Sequence, residues 1–230
     1  MSAQRKRHAK TVVDAAMAAV MVALMATAIV QEAPHEWFGI ALFVLVTTHI
    51  VLNRRWIVAV LRRRRNALQT AQLVTMALLV GCIVGLAASS LVLSKHVFGF
   101  LPALPGAAWA RRVHMICSYW AFVLAFVHAG LHMRLPRRIS ARSLWACRLA
   151  WDLVACYGVW SFMNLGLPAY LLGQVQFAAV DFQTPLVLSF ARWTAIATLV
   201  AGVTYLLRER LSRRKRKDDS GSGHLPRAMR

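Results

Sequence analysis

The sequence predicts an all-α integral membrane bundle of six transmembrane helices with both termini in the cytoplasm. Three observations predict it. Of the 230 residues, 59% are hydrophobic and the mean hydropathy is +0.53. Charged residues make up 16%, where a soluble domain carries about 25%. Apolar runs of spanning length alternate with basic clusters. The spans are read as helices, because an isolated strand leaves its backbone groups unsatisfied in lipid.

The elements follow in order. A basic cytoplasmic tail over 1–11, with Arg5, Lys6, Arg7 and Lys10, precedes the first span at 12–30. That apolar run is longer than a typical signal-peptide core and lacks a clear cleavage site, so it is expected to stay as a span. The second span, 37–52, is the shortest to look at. Pro34 suits a first helical turn, so its helix can begin earlier. Arg54, Arg55 and Arg62 to Arg65 follow it. The third span is 68–93 and the fourth 109–133. Arg134, Arg137, Arg138, Arg142 and Arg148 surround the connection to the fifth, 144–165. The segment 166–185 contains Pro168, Gly173, Gln174, Gln176, Asp181 and Gln183, too polar a set to span. Its Tyr170, Phe177 and Phe182 suit the outer interface. The sixth span, 186–207, leads into a basic tail over 208–230, disordered from Arg213 by composition. The six-helix membrane domain is therefore 12–207.

The net charge of +20 resembles a nucleic-acid signal. Its distribution excludes that reading, because each basic tract flanks a span end. Only Lys95, Arg111, Arg112 and Arg192 fall on the opposite side. This positive-inside pattern places both termini of a multi-pass membrane protein in the cytoplasm. Cys82, Cys117, Cys147 and Cys156 lie in or beside apolar spans. They form neither a Cys-x-x-Cys-His motif for covalent haem nor a cluster for iron–sulfur ligation.

The chemistry is carried by two histidine pairs. His35 and His49 lie on the second span, His114 and His128 on the fourth, each pair fourteen residues apart. Fourteen residues turn an α-helix through about 1,400°, so both members lie within roughly 40° of one line, about 21 Å apart along the axis. The second and fourth spans run in the same direction, which brings the two levels into register. His35 with His114 is expected to ligate an outer haem, and His49 with His128 an inner one. Ser118, Ala121 and Ala125 continue the His114–His128 line with small side chains. Gly39 follows His35 by one turn, ahead of Leu42 and Val46. Small residues admit a flat macrocycle, although ordinary helix packing uses them too.

Basic residues are available at both levels for haem propionates: Arg111, Arg112 and Lys95 at the outer one, Arg54, Arg55 and Arg134 at the inner one. Interface snorkelling and topology explain most of them equally. Two histidines are left over. His96, at the outer end of the third span, is open to quinone binding, a propionate contact, replacement of an outer ligand, or a plain interface position. His132 shares the face of His128 and is an alternative inner ligand, but only His128 repeats the fourteen-residue interval. Arg148 and Asp152, four apart on the fifth span, read as a structural ion pair, with proton handling as the rival.

Several stretches resemble one family. They are Pro34-His35-Glu36-Trp37-Phe38-Gly39 through His49 and Trp56, Ser94 through Phe100, Val113-His114 through His128-Ala129-Gly130-Leu131-His132, Tyr157-Gly158, and the Phe177 to Phe182 region. They are similar to the flavinylation-associated cytochromes, first catalogued as a domain of unknown function, over about residues 10–207. The resemblance implies a six-helix b-type cytochrome that carries electrons between membrane carriers and extracytosolic flavoproteins. The histidine layout is also similar to cytochrome b of respiratory bc complexes, a geometric likeness that fixes no chemistry.

The expected function is transmembrane electron transfer through two haem b groups. Bis-His ligation leaves no open iron position for oxygen activation. Quinol oxidation or ferric reduction at one face would make the chain an oxidoreductase, and no residue decides this. The outer partner implied by resemblance is a flavoprotein or another extracytosolic carrier. At the inner face a membrane quinone or redox complex is expected, since no nucleotide-binding motif is present. Two other classes compete. A membrane desaturase or hydroxylase using His128 and His132 would need further histidine clusters that are missing. A haem-free transporter or membrane anchor would suit the likeness between spans one–two and three–four.

Overall fold

The computed structural model describes residues 3–27, 32–62, 66–102, 104–133, 141–175, 177 and 183–221. The described residues are helical throughout their ordered elements: α1 (Ala3–Thr27), α2 (Glu32–Arg62), α3 (Ala67–Leu93), α4 (Ala107–His132), α5 (Ala141–Asn164), α6 (Leu167–Leu171) and α7 (Leu186–Gly221). Among the described residues, five helices are long and apolar enough to cross a membrane: Gln4–Ala26, Glu32–Arg62, Ala67–Leu93, Ala107–His132 and Leu186–Ser212. α5 is not among them, because Arg148 and Asp152 interrupt its apolar run. Large apolar side chains such as Val44, Leu78, Val84, Leu153 and Val187 point outward. A soluble bundle would cover such a surface, whereas lipid accepts it. The architecture is that of a helical, multi-pass membrane protein.

Local chemistry sets the helix ends. Asn66 caps α3 reciprocally: its side chain accepts from the Gln69 N–H, and Gln69 accepts from the Asn66 N–H, a capping box. Gly106 starts α4 at φ 101° and Gly166 starts α6 at φ 66°, a region glycine enters without steric penalty. Two helices outrun the expected spans. α2 continues to Arg62, and its 31 residues make it about 46 Å long, against a hydrocarbon core of about 30 Å. α7 continues to Gly221, so 213–221 is helical where disorder was expected. The Arg, Lys and Leu of 206–217 are good helix formers, and that outweighs their charge. Arg134, Gln176, Asp181 and Phe182 lie outside the described residues.

Contacts between helices give their directions. Lys10 meets Asn53 and Asp14 meets His49, so α1 and α2 are antiparallel. Gly85 lies against Cys117 and Ser89 against His114, so α3 and α4 are antiparallel. Phe122 packs on Trp193, and Gly130 lies against Ala201 and Thr204, so α4 and α7 are parallel. Gly158 faces Ala195 and Gly202 faces Trp151, so α5 and α7 are antiparallel. The long helices therefore alternate in direction. Lys10, Arg54, Arg55 and Arg208 share one end, and Lys95, Arg111, Arg112 and Arg192 lie toward the other. Arg148 and Asp152 are both exposed, with no ion pair between them among the described contacts. The expected structural pair is not seen, and the two side chains lie off the face of α5 that meets α7 at Trp151 and Gly158.

The core is off-centre. Val22, Met25 and Ala26 of α1, Tyr119 and Phe122 of α4, Leu167 and Tyr170 of α6, and Trp193, Ile196 and Ala197 of α7 form one cluster. Tyr119 stacks on Tyr170 at 4.2 Å, and the Trp120 indole N–H donates to the Leu171 carbonyl at 2.9 Å. α2 contributes nothing to this cluster, and its close packing is with α1 alone.

Substituting Gly130 tests the α4–α7 seam. A Cβ there would stand 2.4 Å from the Ala201 carbonyl oxygen, whereas nothing lies within 4 Å of one at Gly81. Gly130→Leu is expected to destabilise the protein by about 1–3 kcal/mol, and Gly81→Ala to leave it as stable or to stabilise it by up to about 1 kcal/mol, in unfolding titrations of the detergent-solubilised protein.

Candidate functional site

His35, Gly39, Leu42, Val46, His49, Asn53 and Trp56 are among the α2 residues of intermediate exposure and follow one helical stripe. Its histidines and Trp56 meet rings of α4. On α4 the corresponding line is His114, Ser118, Ala121, Ala125 and His128. Ala121 is buried and the other four are half-buried. The structure brings the two lines together at the histidines. The His35 and His114 ring centres are 6.2 Å apart, and those of His49 and His128 are 6.3 Å apart. N-terminal member meets N-terminal member, so α2 and α4 are parallel, as their common direction required.

The helices themselves do not close on one another. α2 and α4 are not among the closely packed helix pairs. Nothing lies within 4 Å of a Cβ placed on Gly39. Between the two histidine levels the backbones of α2 and α4 stay apart, a slot along which Leu42 and Val46 continue one histidine line and Ser118, Ala121 and Ala125 the other.

Neighbouring side chains set the imidazoles. His49 Nδ1 is 2.7 Å from Asp14 Oδ1. A carboxylate only accepts, so Nδ1 carries a proton, and in the neutral ring Nε2 keeps its lone pair. Asn53, 3.4 Å from the same nitrogen, instead donates to the His49 carbonyl at 3.0 Å. Its own carbonyl accepts from Lys10 Nζ at 2.8 Å. His114 Nδ1 is 3.3 Å from Ser89 Oγ and 3.5 Å from Ser90 Oγ. The Ser89 hydroxyl hydrogen is engaged by the Gly85 carbonyl at 2.7 Å. Ser89 therefore accepts from His114 Nδ1–H, which again leaves Nε2 as the free acceptor. Each level thus has one ring anchored through Nδ1. The facing rings, His35 and His128, have a buried Nδ1 with no hydrogen-bond partner among the described residues.

This donor set suits a metal held in a macrocycle. With metal–imidazole bonds of about 2 Å and a ring centre about 1.1 Å behind the bonded nitrogen, two trans imidazoles on one metal have centres about 6 Å apart. Among the described residues no three His, Cys, Asp or Glu converge as a metal site. Two imidazoles are too few for a closed structural zinc site, but they are the number needed when a porphyrin supplies the four equatorial nitrogens.

The other predicted residues divide. His132 stands 4.6 Å from His128 but faces Trp56 at 4.9 Å, beyond the level of His49. His96 has an exposed side chain, and its backbone N–H donates to Glu36. Lys95 is engaged by Glu32 through an ion pair of 2.8 Å. The Arg111 guanidinium lies over the Phe177 ring at 4.9 Å, and Arg112, Arg54 and Arg55 are exposed. Arg134 is outside the described residues.

Two acidic residues escaped the sequence reading. Asp14 is a lone carboxylate in the apolar first span, and an ionisable group within a span is itself a signal of function. Glu36 follows His35 directly. Its carboxylate accepts from Ser94 Oγ at 2.6 Å and from the N–H groups of Lys95, His96 and Val97 at 2.9, 3.1 and 2.8 Å. One carboxylate therefore clasps the N-terminal end of α2 to the segment between α3 and α4. No such role is visible without knowing that the two segments meet.

Fold and site together define a helical membrane protein with two facing histidine pairs, one toward each end of the bundle. No protein-family model, curated protein or solved structure matches the chain.

The Glu36 clasp has a measurable weight. Glu36→Ala leaves several donors without their acceptor and is expected to destabilise the protein by about 1–3 kcal/mol. Glu36→Gln, which keeps one acceptor oxygen, should cost less in the same detergent unfolding assay.

Proposed function

We propose that the chain is a b-type di-haem cytochrome that carries electrons across the membrane, with His35 and His114 as axial ligands of one haem and His49 and His128 of the other. The observation that carries this reading is the pair of ring separations, 6.2 and 6.3 Å, at the spacing two trans imidazole ligands require. The slot between α2 and α4, the ring anchoring by Asp14 and Ser89, and the resemblance to flavinylation-associated cytochromes support it. In this reading α5 is the sixth span, despite Arg148 and Asp152. The arginine-rich end faces the cytoplasm of a bacterial inner membrane. The haems supply one-electron chemistry, and the protein sets ligation, dielectric and spacing. Histidine levels about 21 Å apart put each haem near one face of a core about 30 Å thick. The carrier at the cytoplasmic side is a membrane quinol or a neighbouring redox complex. On the other side it is an extracytosolic flavoprotein or a similar carrier.

Pyridine haemochrome analysis of the purified protein is expected to give two b-type haems per chain. His49→Ala and His128→Ala should each remove one, and His35→Ala and His114→Ala the other. A haem-free protein from haem-replete cells refutes the reading, and loss of a haem in His132→Ala with none lost in His128→Ala refutes the inner ligand assignment. In proteoliposomes with reductant inside and an impermeant acceptor outside, electrons should cross in the native protein and stop in any of the four variants. Failure of the native protein to pass electrons while both haems are reducible overturns the conduit.

A further inference from the structure

The four imidazoles are alike in sequence but not in surroundings. Only His49 is backed by a carboxylate, Asp14, at 2.7 Å. His114 is backed by the neutral hydroxyls of Ser89 and Ser90. His35 and His128 have no partner at Nδ1. Glu36, next to His35, is the other carboxylate near a ring, but its oxygens are taken up by Ser94 Oγ and the N–H groups of Lys95, His96 and Val97. Among the described residues only Asp14 bonds a ring nitrogen directly. A carboxylate accepting from Nδ1–H pushes electron density to Nε2 and makes that nitrogen a stronger donor to a metal, as outer-shell carboxylates do in other histidine sites. A stronger axial donor favours the ferric over the ferrous state and lowers the midpoint potential.

Nearby positive groups act in the opposite sense and are weaker here. Lys10 spends its ammonium on Asn53 Oδ1 at 2.8 Å. Arg54 and Arg55 are exposed, where water and salt screen them within about 10 Å. Asp14 is half-exposed, with 54% of its side chain accessible. Its effect on His49 nonetheless passes through a direct hydrogen bond and not through solvent.

We propose that Asp14 is a positioning and tuning residue for His49, and that it makes the His49–His128 level the lower-potential of the two. The proposal rests on the di-haem reading above and adds a direction to it. With haem held at both levels, an electron would pass from the level of His49 and His128 to the level of His35 and His114. No bond or proton changes hands, and the step is downhill.

The test is redox potentiometry of the purified holoprotein, followed by visible spectroscopy. In the wild type the lower-midpoint step should disappear in His49→Ala and the higher one in His114→Ala. The reverse assignment overturns the proposal even if no Asp14 variant can be purified. Asp14→Asn keeps an oxygen that can accept from Nδ1–H but removes the charge. It is expected to raise the lower step by at least tenfold in the ferric/ferrous equilibrium, about 59 mV for one electron, and to leave the upper step in place. Asp14→Glu should restore most of the lower value. Unchanged midpoints in Asp14→Asn, or an equal shift of both steps, overturn the tuning role. A wild-type protein that binds no haem refutes the function itself, a different result from two haems with the opposite order.

Discussion

The stand-off between α2 and α4 is the constraint on which the rest of the structure depends. Two apolar helices in one bundle ordinarily close until their side chains interlock. Here histidines meet at two levels while the backbones stay apart, and the stretch between them is lined with small or open positions at Gly39, Ser118, Ala121 and Ala125. The other helices pack so as to allow this. α4 is held on its far sides by α3 and α7, and its aromatic contacts with Trp193 and Tyr170 fix its rotation. With that rotation set, His114 and His128 face away from the core. α2 is carried by α1 and reaches the rest of the bundle through side chains more than through packing.

The result is an uneven distribution of stability. The cluster around Phe122, Leu167 and Ile196 is fully buried, whereas α2 has only Val60 buried among its described residues. Polar contacts replace packing at both ends of α2. Glu36 ties one end to the Ser94–Val97 backbone, and His49 with Asn53 ties the other to α1. In a low-dielectric surrounding such bonds are stronger than in water, and a missing partner is correspondingly costly.

Much of this was legible in the sequence. The fourteen-residue spacing of His35–His49 and His114–His128 needed only the geometry of a helix to put both pairs in register, and the charge pattern supplied the parallel direction. The choice of His128 over His132 to face His49 followed from the same interval. What was not legible depends on contacts across the fold. Glu36 looked like part of a motif, and its partners are backbone N–H groups sixty residues away that have no signature of their own. Asp14 could have been singled out as a lone acid in an apolar span, but its partner could not. Lys95 was read as a free cation at the outer level, and Glu32 takes it up. The helical course of 213–221 was missed because charge and Gly/Ser content were weighed above the helix propensity of its Arg and Lys.

The contacts of the first hairpin have a consequence for how the chain is made. Asp14 and His49, and likewise Lys10 and Asn53, belong to α1 and α2, which leave the ribosome before α3 and α4. N-terminal segments are synthesised and begin to fold first, and an ionisable side chain entering lipid without a partner is costly. Pairing within the hairpin gives each of these four side chains its partner before α3 or α4 exists. His35 is different, because its partner across the slot is 79 residues further along the chain. The hairpin can therefore insert as a polar-satisfied unit with one half of the slot already shaped. The order of synthesis leaves the facing wall on α4 as the last part to arrive.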